Sequence, residues 1–258
     1  MSADLDFDDA PHLPGTDSAN VVTSTPLMVK VRSAVKSLST HKGIVVIDGK
    51  PGNGKTFVAN RAARDLDLPV FALDLTGETS VNRMFARLYQ SITGEFPKGM
   101  PLYVLGYEIE SLLEAAEAML IVDECQWADR RLLRVLRATY DHTSAQRFIL
   151  VLVGQGIGRV LIAKEPGLAS RVSRSITAGP IPKAKLTATL AEYHPLFANT
   201  SPETIGTIEA WAKGNWRNWA HVLEAALAFG ISAEDGISSK NAQSIRHLIG
   251  KFDFGDAA

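Results

Sequence analysis

Eight residues, Gly49-Lys50-Pro51-Gly52-Asn53-Gly54-Lys55-Thr56, limit what this chain can fold into more than any others. They fill every fixed position of G-x-x-x-x-G-K-[ST]. The flanks supply the context that the pattern needs. Gly43 to Asp48 is a short apolar, β-branched run, which predicts a buried strand. Thr56 to Arg64 continues in helix-forming residues. A glycine-rich turn between a strand and a helix start aims several backbone N–H groups at one point, with the positive end of the helix dipole behind them. That cradle suits a phosphate. Lys55 is then placed for the β- and γ-phosphates of ATP and the Thr56 hydroxyl for Mg²⁺. Gly49, Pro51, Gly52, Asn53, Gly54 and Phe57 complete the expected binding loop.

The second informative stretch is Met119-Leu120-Ile121-Val122-Asp123-Glu124. An apolar strand that ends in Asp-Glu places the Asp beside the phosphate loop, where it can hold the shell of Mg²⁺. The Glu can act as general base on the attacking water. Cys125 follows directly and reads as a packed thiol rather than a redox switch.

Between and beyond these motifs, strands alternate with helices. Leu27 to Ser39 reads as an amphipathic lead-in helix, Pro69 to Leu75 as a strand and Thr79 to Thr93 as a helix. A Gly- and Pro-rich loop over 94–101 precedes a helix from Tyr103 to Ala118. Asp129 to His142 reads as helical, with Arg130, Arg131, Arg134 and Arg137 expected to pair with nearby acids rather than to grip DNA. Arg147 to Gln155 reads as a fourth strand, and Gly154, Gly156 and Gly158 after it as a flexible turn. A fifth strand is expected near Ser175 to Ala178. Gly179-Pro180-Ile181-Pro182 then punctuates the chain, and everything beyond reads helical: 183–194, 202–213, 215–229 and 239–251. The expectation is an α/β fold: an αβα sandwich on a five-stranded parallel sheet over 21–181, then a small α-helical lid over 182–251 and a short tail over 252–258.

Charge and composition exclude some alternatives. The net charge is −1, but residues 1–20 hold five aspartates and no Lys or Arg, so the rest of the chain carries +4. The first twenty residues are expected to be a disordered acidic tail, and the mildly basic body permits nucleic-acid binding. One cysteine excludes an internal disulfide framework and a multi-cysteine metal site. The sequence shows neither a bilayer-spanning run nor a signal-like start, so a cytoplasmic protein with no membrane partner is expected.

The motif order GKPGNGKT, LIVDECQWAD, LVLVGQ, LASRV, GNWRNW resembles that of the AAA+ ATPases. Within them it is most similar to the compact bacterial ATPases of DNA transposition, the phage Mu B, TniB and TnsC group. The resemblance implies that Gln155 is the sensor 1 residue, that Arg171 or Arg174 is an arginine finger for a neighbouring subunit's ATP, and that Arg217 is the sensor 2 residue. It also implies self-assembly into a ring or helical filament on double-stranded DNA and a transposase as partner. In such proteins the region between the second strand and the Asp-Glu motif touches duplex DNA. Here that region holds Arg83, Arg87 and Lys98, with phosphate contacts and little sequence preference expected. Other readings stay open: a helicase loader, a secretion-linked ATPase, a nucleotide-gated scaffold that hardly hydrolyses, or a small-molecule kinase.

Overall fold

The computed structural model describes residues 22, 24–65, 68–77, 80–144 and 147–249. The expected acidic tail and the short C-terminal tail lie outside these residues. Internal contacts divide the chain after Ala178, so two units are described separately.

The first unit is built on five strands: β1 (Gly43–Gly49), β2 (Val70–Asp74), β3 (Met119–Asp123), β4 (Ile149–Gly154) and β5 (Val172–Ala178). All pair in parallel, in the order β2-β3-β4-β1-β5, so the expected five-stranded parallel sheet is present. Helices α1 (Pro26–Ser37), α2 (Lys55–Ala63), α3 (Val81–Thr93), α4 (Leu102–Ala116), α5 (Arg130–His142), α6 (Ile157–Lys164) and α7 (Pro166–Ala169) surround it.

The three-layer arrangement follows from the side-chain period of two along a strand. Ile44, Val46, Leu120, Val122, Leu150 and Leu152 face one way and join the apolar faces of α3, α4, α5 and α6. Val45, Ile47, Met119, Ile121, Ile149, Val151 and Val153 face the other way and pack with α1 and α2. The central strands are therefore apolar without alternation, because both faces are covered.

Register sets where the strands end. Asp48 lies beside Gly154, Gly49 beside Ala178, and Asp74 beside Asp123. The carboxyl ends of all five strands thus share one edge, where open α/β sheets take their ligands.

One local expectation is corrected. The glycines after β4 do not form a loose turn; Gly156, at φ 65°, is the N-cap of α6. The glycine content hid this helix, because its cap comes from a distant residue: Asp48 accepts the Gly156 N–H at 2.7 Å and the Gly158 N–H at 3.3 Å. The fifth strand also begins earlier than expected, at Val172.

The second unit is helical: α8 (Leu186–Tyr193), α9 (Pro195–Ala198), α10 (Pro202–Ala212), α11 (Trp216–Ala228) and α12 (Ser239–Ile249). Its core includes Leu190, Phe197, Ile208, Trp219, Leu223 and Ile245. Trp219 stands edge-on to Phe197 at 5.4 Å, and Trp216 edge-on to Tyr193 at 5.5 Å. No helix among the described residues is long and apolar enough to cross a membrane.

Candidate nucleotide site

The glycine-rich loop bridges the end of β1 and the start of α2. Gly52 and Gly54 sit at φ 75° and 78°, which glycine adopts without a Cβ penalty. A Cβ on Gly49 would come within 2.3 Å of the Ala178 carbonyl oxygen, so that position admits glycine alone. Asn53 is buried and donates its side-chain amide to the same carbonyl at 2.8 Å, which staples the loop to β5. Lys55 is buried, and its Nζ donates across the loop to the Lys50 carbonyl at 3.1 Å. Pro51 and Phe57 are exposed on the loop and on α2.

The Asp-Glu motif meets this loop. β3 lies two strands from β1, with β4 between, yet the Thr56 hydroxyl donates to Asp123 Oδ2 at 2.5 Å. Asp123 Oδ1 accepts the Glu124 N–H at 2.8 Å. Burial raises the Asp123 carboxyl from its ordinary pKa, and the hydrogen bonds from Thr56 and Glu124 oppose that rise. A hydroxyl and a carboxylate converging beside a phosphate cradle fit a hard divalent cation of the Mg²⁺ kind. Among the described residues no cluster of three or more His, Cys, Asp or Glu could cage a metal by protein alone.

Glu124 stands at φ 54°, uncommon for a residue with a Cβ, and opens a 3-10 turn over Cys125–Trp127. Cys125 is fully buried, donates its thiol to the Val122 carbonyl at 3.2 Å, and has its pKa pushed up by burial. Gln126, within that turn, donates its amide to Glu124 Oε2 and accepts the Gln155 N–H at 3.0 Å. Sequence reasoning passed over Gln126 and Asp48; a polar residue two positions after Glu124 and an acid closing an apolar strand were the available signals.

The other candidate residues lie elsewhere. Arg174 is on β5, at the opposite sheet edge from β2, and Arg171 directly before that strand. Arg171 precedes the strand, and Ala178, at its other end, borders the phosphate loop. Seven residues at about 3.3 Å each separate them by roughly 20 Å, beyond the reach of an arginine side chain. Arg171 pairs instead with Asp141 at 2.5 Å, and Arg174 is exposed. Arg83, Arg87 and Lys98 are exposed beside the β2 edge, on α3 and the loop after it, with Arg87 donating to the Asp74 carbonyl at 3.0 Å. Arg134 and Arg137 both pair with the buried Glu165, at 3.3 and 3.2 Å. Arg217 belongs to the helical unit, exposed in the first turn of α11, where Asn215 caps its N–H at 3.0 Å.

Residues 38–159 match a family model described as "AAA domain". That stretch is similar to AAA-type P-loop ATPase domains. The match covers just under half of the chain, and the family as a class implies nucleoside-triphosphatase chemistry. No curated protein matches the sequence. Among solved structures, the chain is similar to Aeropyrum pernix ORC1 in complex with DNA, with a TM-score of 0.68 at 15% identity over 89% of this chain and 66% of that one. It is similar to Cdc6p of Pyrobaculum aerophilum, with a TM-score of 0.68 at 15% identity over 89% and 69%. It is also similar to domain III of the Thermotoga maritima replication initiation protein DnaA, with a TM-score of 0.61 at 13% identity over 88% and 93%. The chain thus spans about two thirds of the length of the first two. At such identities the likeness shows the fold, a P-loop AAA+ α/β architecture.

Proposed function

We propose that this chain is an ATPase that assembles on duplex DNA and hydrolyses ATP at the junction between copies. The observation that carries the reading is the meeting of Thr56 and Asp123 beside the glycine-rich loop. Lys55 and the loop amides bind the β- and γ-phosphates, and Thr56 and Asp123 hold Mg²⁺. A cation held there would neutralise charge on the phosphate oxygens. Glu124 takes the proton of the attacking water, with Gln155 beside it. Arg171, which precedes β5 and is too far from its own loop to reach it, serves the nucleotide of a second copy, with Arg174 as the other candidate. Arg217 keeps the sensor 2 role that the motif order implies. Arg83, Arg87 and Lys98 hold DNA phosphates.

The motif order favours a partner that is a transposase, recruited or stimulated by the ATP-bound assembly. A second reading, a loader in DNA replication, draws on the likeness to ORC1, Cdc6p and DnaA, the first of which was solved with DNA. Both readings share the same chemistry. The test is turnover per copy across protein concentration, with and without duplex DNA. It should rise with both, because an arginine finger is worth about 10³–10⁵ in rate. A specific activity independent of both would overturn assembly-dependent hydrolysis. Affinity for a purified transposase or for a replicative helicase then separates the two partners.

A further inference from the structure

We infer that Gln126 is a positioning residue that holds the Glu124 carboxylate at a fixed place relative to Gln155. The inference rests on the reading of Glu124 as the base for ATP hydrolysis.

Hydrogen-bonding capacity fixes which way the Gln126 amide lies. A backbone N–H can only donate, so the Gln126 atom facing the Gln155 N–H at 3.0 Å must be its carbonyl oxygen. The amide nitrogen then faces Glu124 Oε2, and a carboxylate can only accept. Each end of one amide therefore meets the complementary group, and flipping the amide would break both bonds.

The surroundings keep Gln126 in place. The Trp127 N–H bonds to the Glu124 carbonyl at 3.0 Å and the Ala128 N–H to that of Cys125 at 3.1 Å, while the buried Cys125 thiol pins the turn to β3. Opposite, β4 makes room: a Cβ on Gly154 would come within 2.5 Å of Gln126 Oε1 and 3.3 Å of the Gln126 nitrogen. Beyond Gln155, the same backbone is held by Asp48 through the Gly156 and Gly158 amides. The segment carrying Gln155 is thus bonded on both sides.

This arrangement has a chemical consequence. A free glutamate side chain samples several rotamers, and only some place an oxygen against a water aligned with the γ-phosphate. Gln126 occupies Oε2 and leaves Oε1 to accept the water's proton. Because its other end is on Gln155, base and sensor are held at a set separation across the neighbouring strands β3 and β4. Support of this kind, one shell behind the reacting groups, is worth about 10–100-fold when removed.

The test compares wild type, Gln126→Ala, Gln126→Glu and Glu124→Gln at the protein and DNA concentrations that maximise wild-type turnover. Gln126→Glu keeps an acceptor for the Gln155 N–H and loses the donor to Glu124, so it separates anchoring the turn from placing the base. Both Gln126 variants should lose about 10–100-fold in kcat, with affinity for a non-hydrolysable ATP analogue within about twofold of wild type. Gln126→Glu should melt within roughly 2 °C of wild type. Wild-type or faster turnover by Gln126→Glu overturns the inference. So does a loss confined to Gln126→Ala that follows a drop in its melting temperature. Should Glu124→Gln hydrolyse at the wild-type rate, the base reading falls and this inference with it. Should Glu124→Gln be inactive while Gln126→Glu is normal, only the role given to Gln126 falls.

Discussion

The Asp48 carboxylate, at the end of the strand that enters the phosphate loop, accepts the Gly156 N–H at 2.7 Å. Strand β1 thereby caps the helix that follows β4, and one acid couples the loop to the segment bearing Gln155. Replacing Asp48 by Ala leaves two amides at the start of α6 without their acceptor and removes a negative charge from that helix terminus. We expect a loss of about 1–2 kcal/mol, or roughly 2–8 °C in Tm. Asp48→Asn keeps an acceptor for the closer Gly156 N–H but turns an NH2 donor toward the Gly158 N–H, so it should recover only part of the loss. Equal melting of Asp48→Ala and wild type would show that the cap contributes nothing.

Two substitutions separate nucleotide binding from chemistry. Lys55→Ala removes the cation proposed to face the β- and γ-phosphates and should abolish binding of a fluorescent ATP analogue. Glu124→Gln changes only the proton acceptor and should bind the analogue normally while hydrolysis stops. Wild-type hydrolysis by Glu124→Gln would show that another group activates the water.

The position of Arg171 permits a complementation experiment. On the proposed roles, Arg171→Ala keeps the loop and base but loses the finger, and Glu124→Gln keeps the finger but loses the base. Each alone should be nearly inactive. Mixed, they should recover a substantial part of wild-type turnover, because an Arg171→Ala copy can be served by its neighbour. To act, Arg171 must exchange Asp141 for a phosphate, and that ion pair is exposed enough, at 36% and 32% of the two side chains, to be worth only about 0–1 kcal/mol. A mixture as inactive as its components sends the finger role to Arg174, tested in the same way.

The phosphate loop was legible because its geometry is local: two left-handed glycines, a lysine and a threonine each act within one turn of chain. The central strands β1, β3 and β4 were legible for a similar reason, since burial on both faces leaves an unbroken apolar run, whereas the edge strand β5 carries Ser173, Arg174, Ser175 and Thr177 and its start was not legible. Nor was strand order. Nothing in β1 itself says that β4 and β5, rather than β2, will flank it. The same non-locality hid α6, whose cap lies on another strand, and hid Gln126, whose role exists only because β4 ends beside it. The pairing of Arg134 and Arg137 with an acid was expected from charge pattern, but Glu165 as that acid follows only from the packing of α5 near α7.

In the helical unit, His194 is buried and caps α9, its Nδ1 accepting the Leu196 N–H at 3.1 Å. Burial lowers its pKa below the ordinary value. The folded unit therefore resists a proton that the unfolded chain takes up near pH 6.5, so stability should fall as pH drops through that value. Protonation also removes the acceptor at Nδ1. His194→Asn retains a capping oxygen but does not titrate, and should flatten the fall in Tm between about pH 7.5 and pH 5. An unchanged slope would mean that other groups carry the acid sensitivity.

The surface proposed for DNA is the least local of all, and it is tested by charge rather than by structure. Arg83 and Arg87 lie four residues apart on the exposed side of α3, opposite its buried Val81, Met84, Phe85 and Leu88. Lys98 is exposed in the loop that follows, next to Gly99 at φ 68°. Phosphate contacts release counterions, so each one lost should lower the salt slope of binding by about one unit. The chain with all three changed to Ala should bind duplex DNA more weakly at every sequence tried, with a slope reduced by up to roughly three units in the presence of an ATP analogue. Arg134 and Arg137, already paired with Glu165, provide the control: changing both to Ala should leave the slope as it is. If the triple variant keeps wild-type affinity and slope, DNA is held on another face, and Arg130 with Arg131, exposed at the start of α5, is the next place to look.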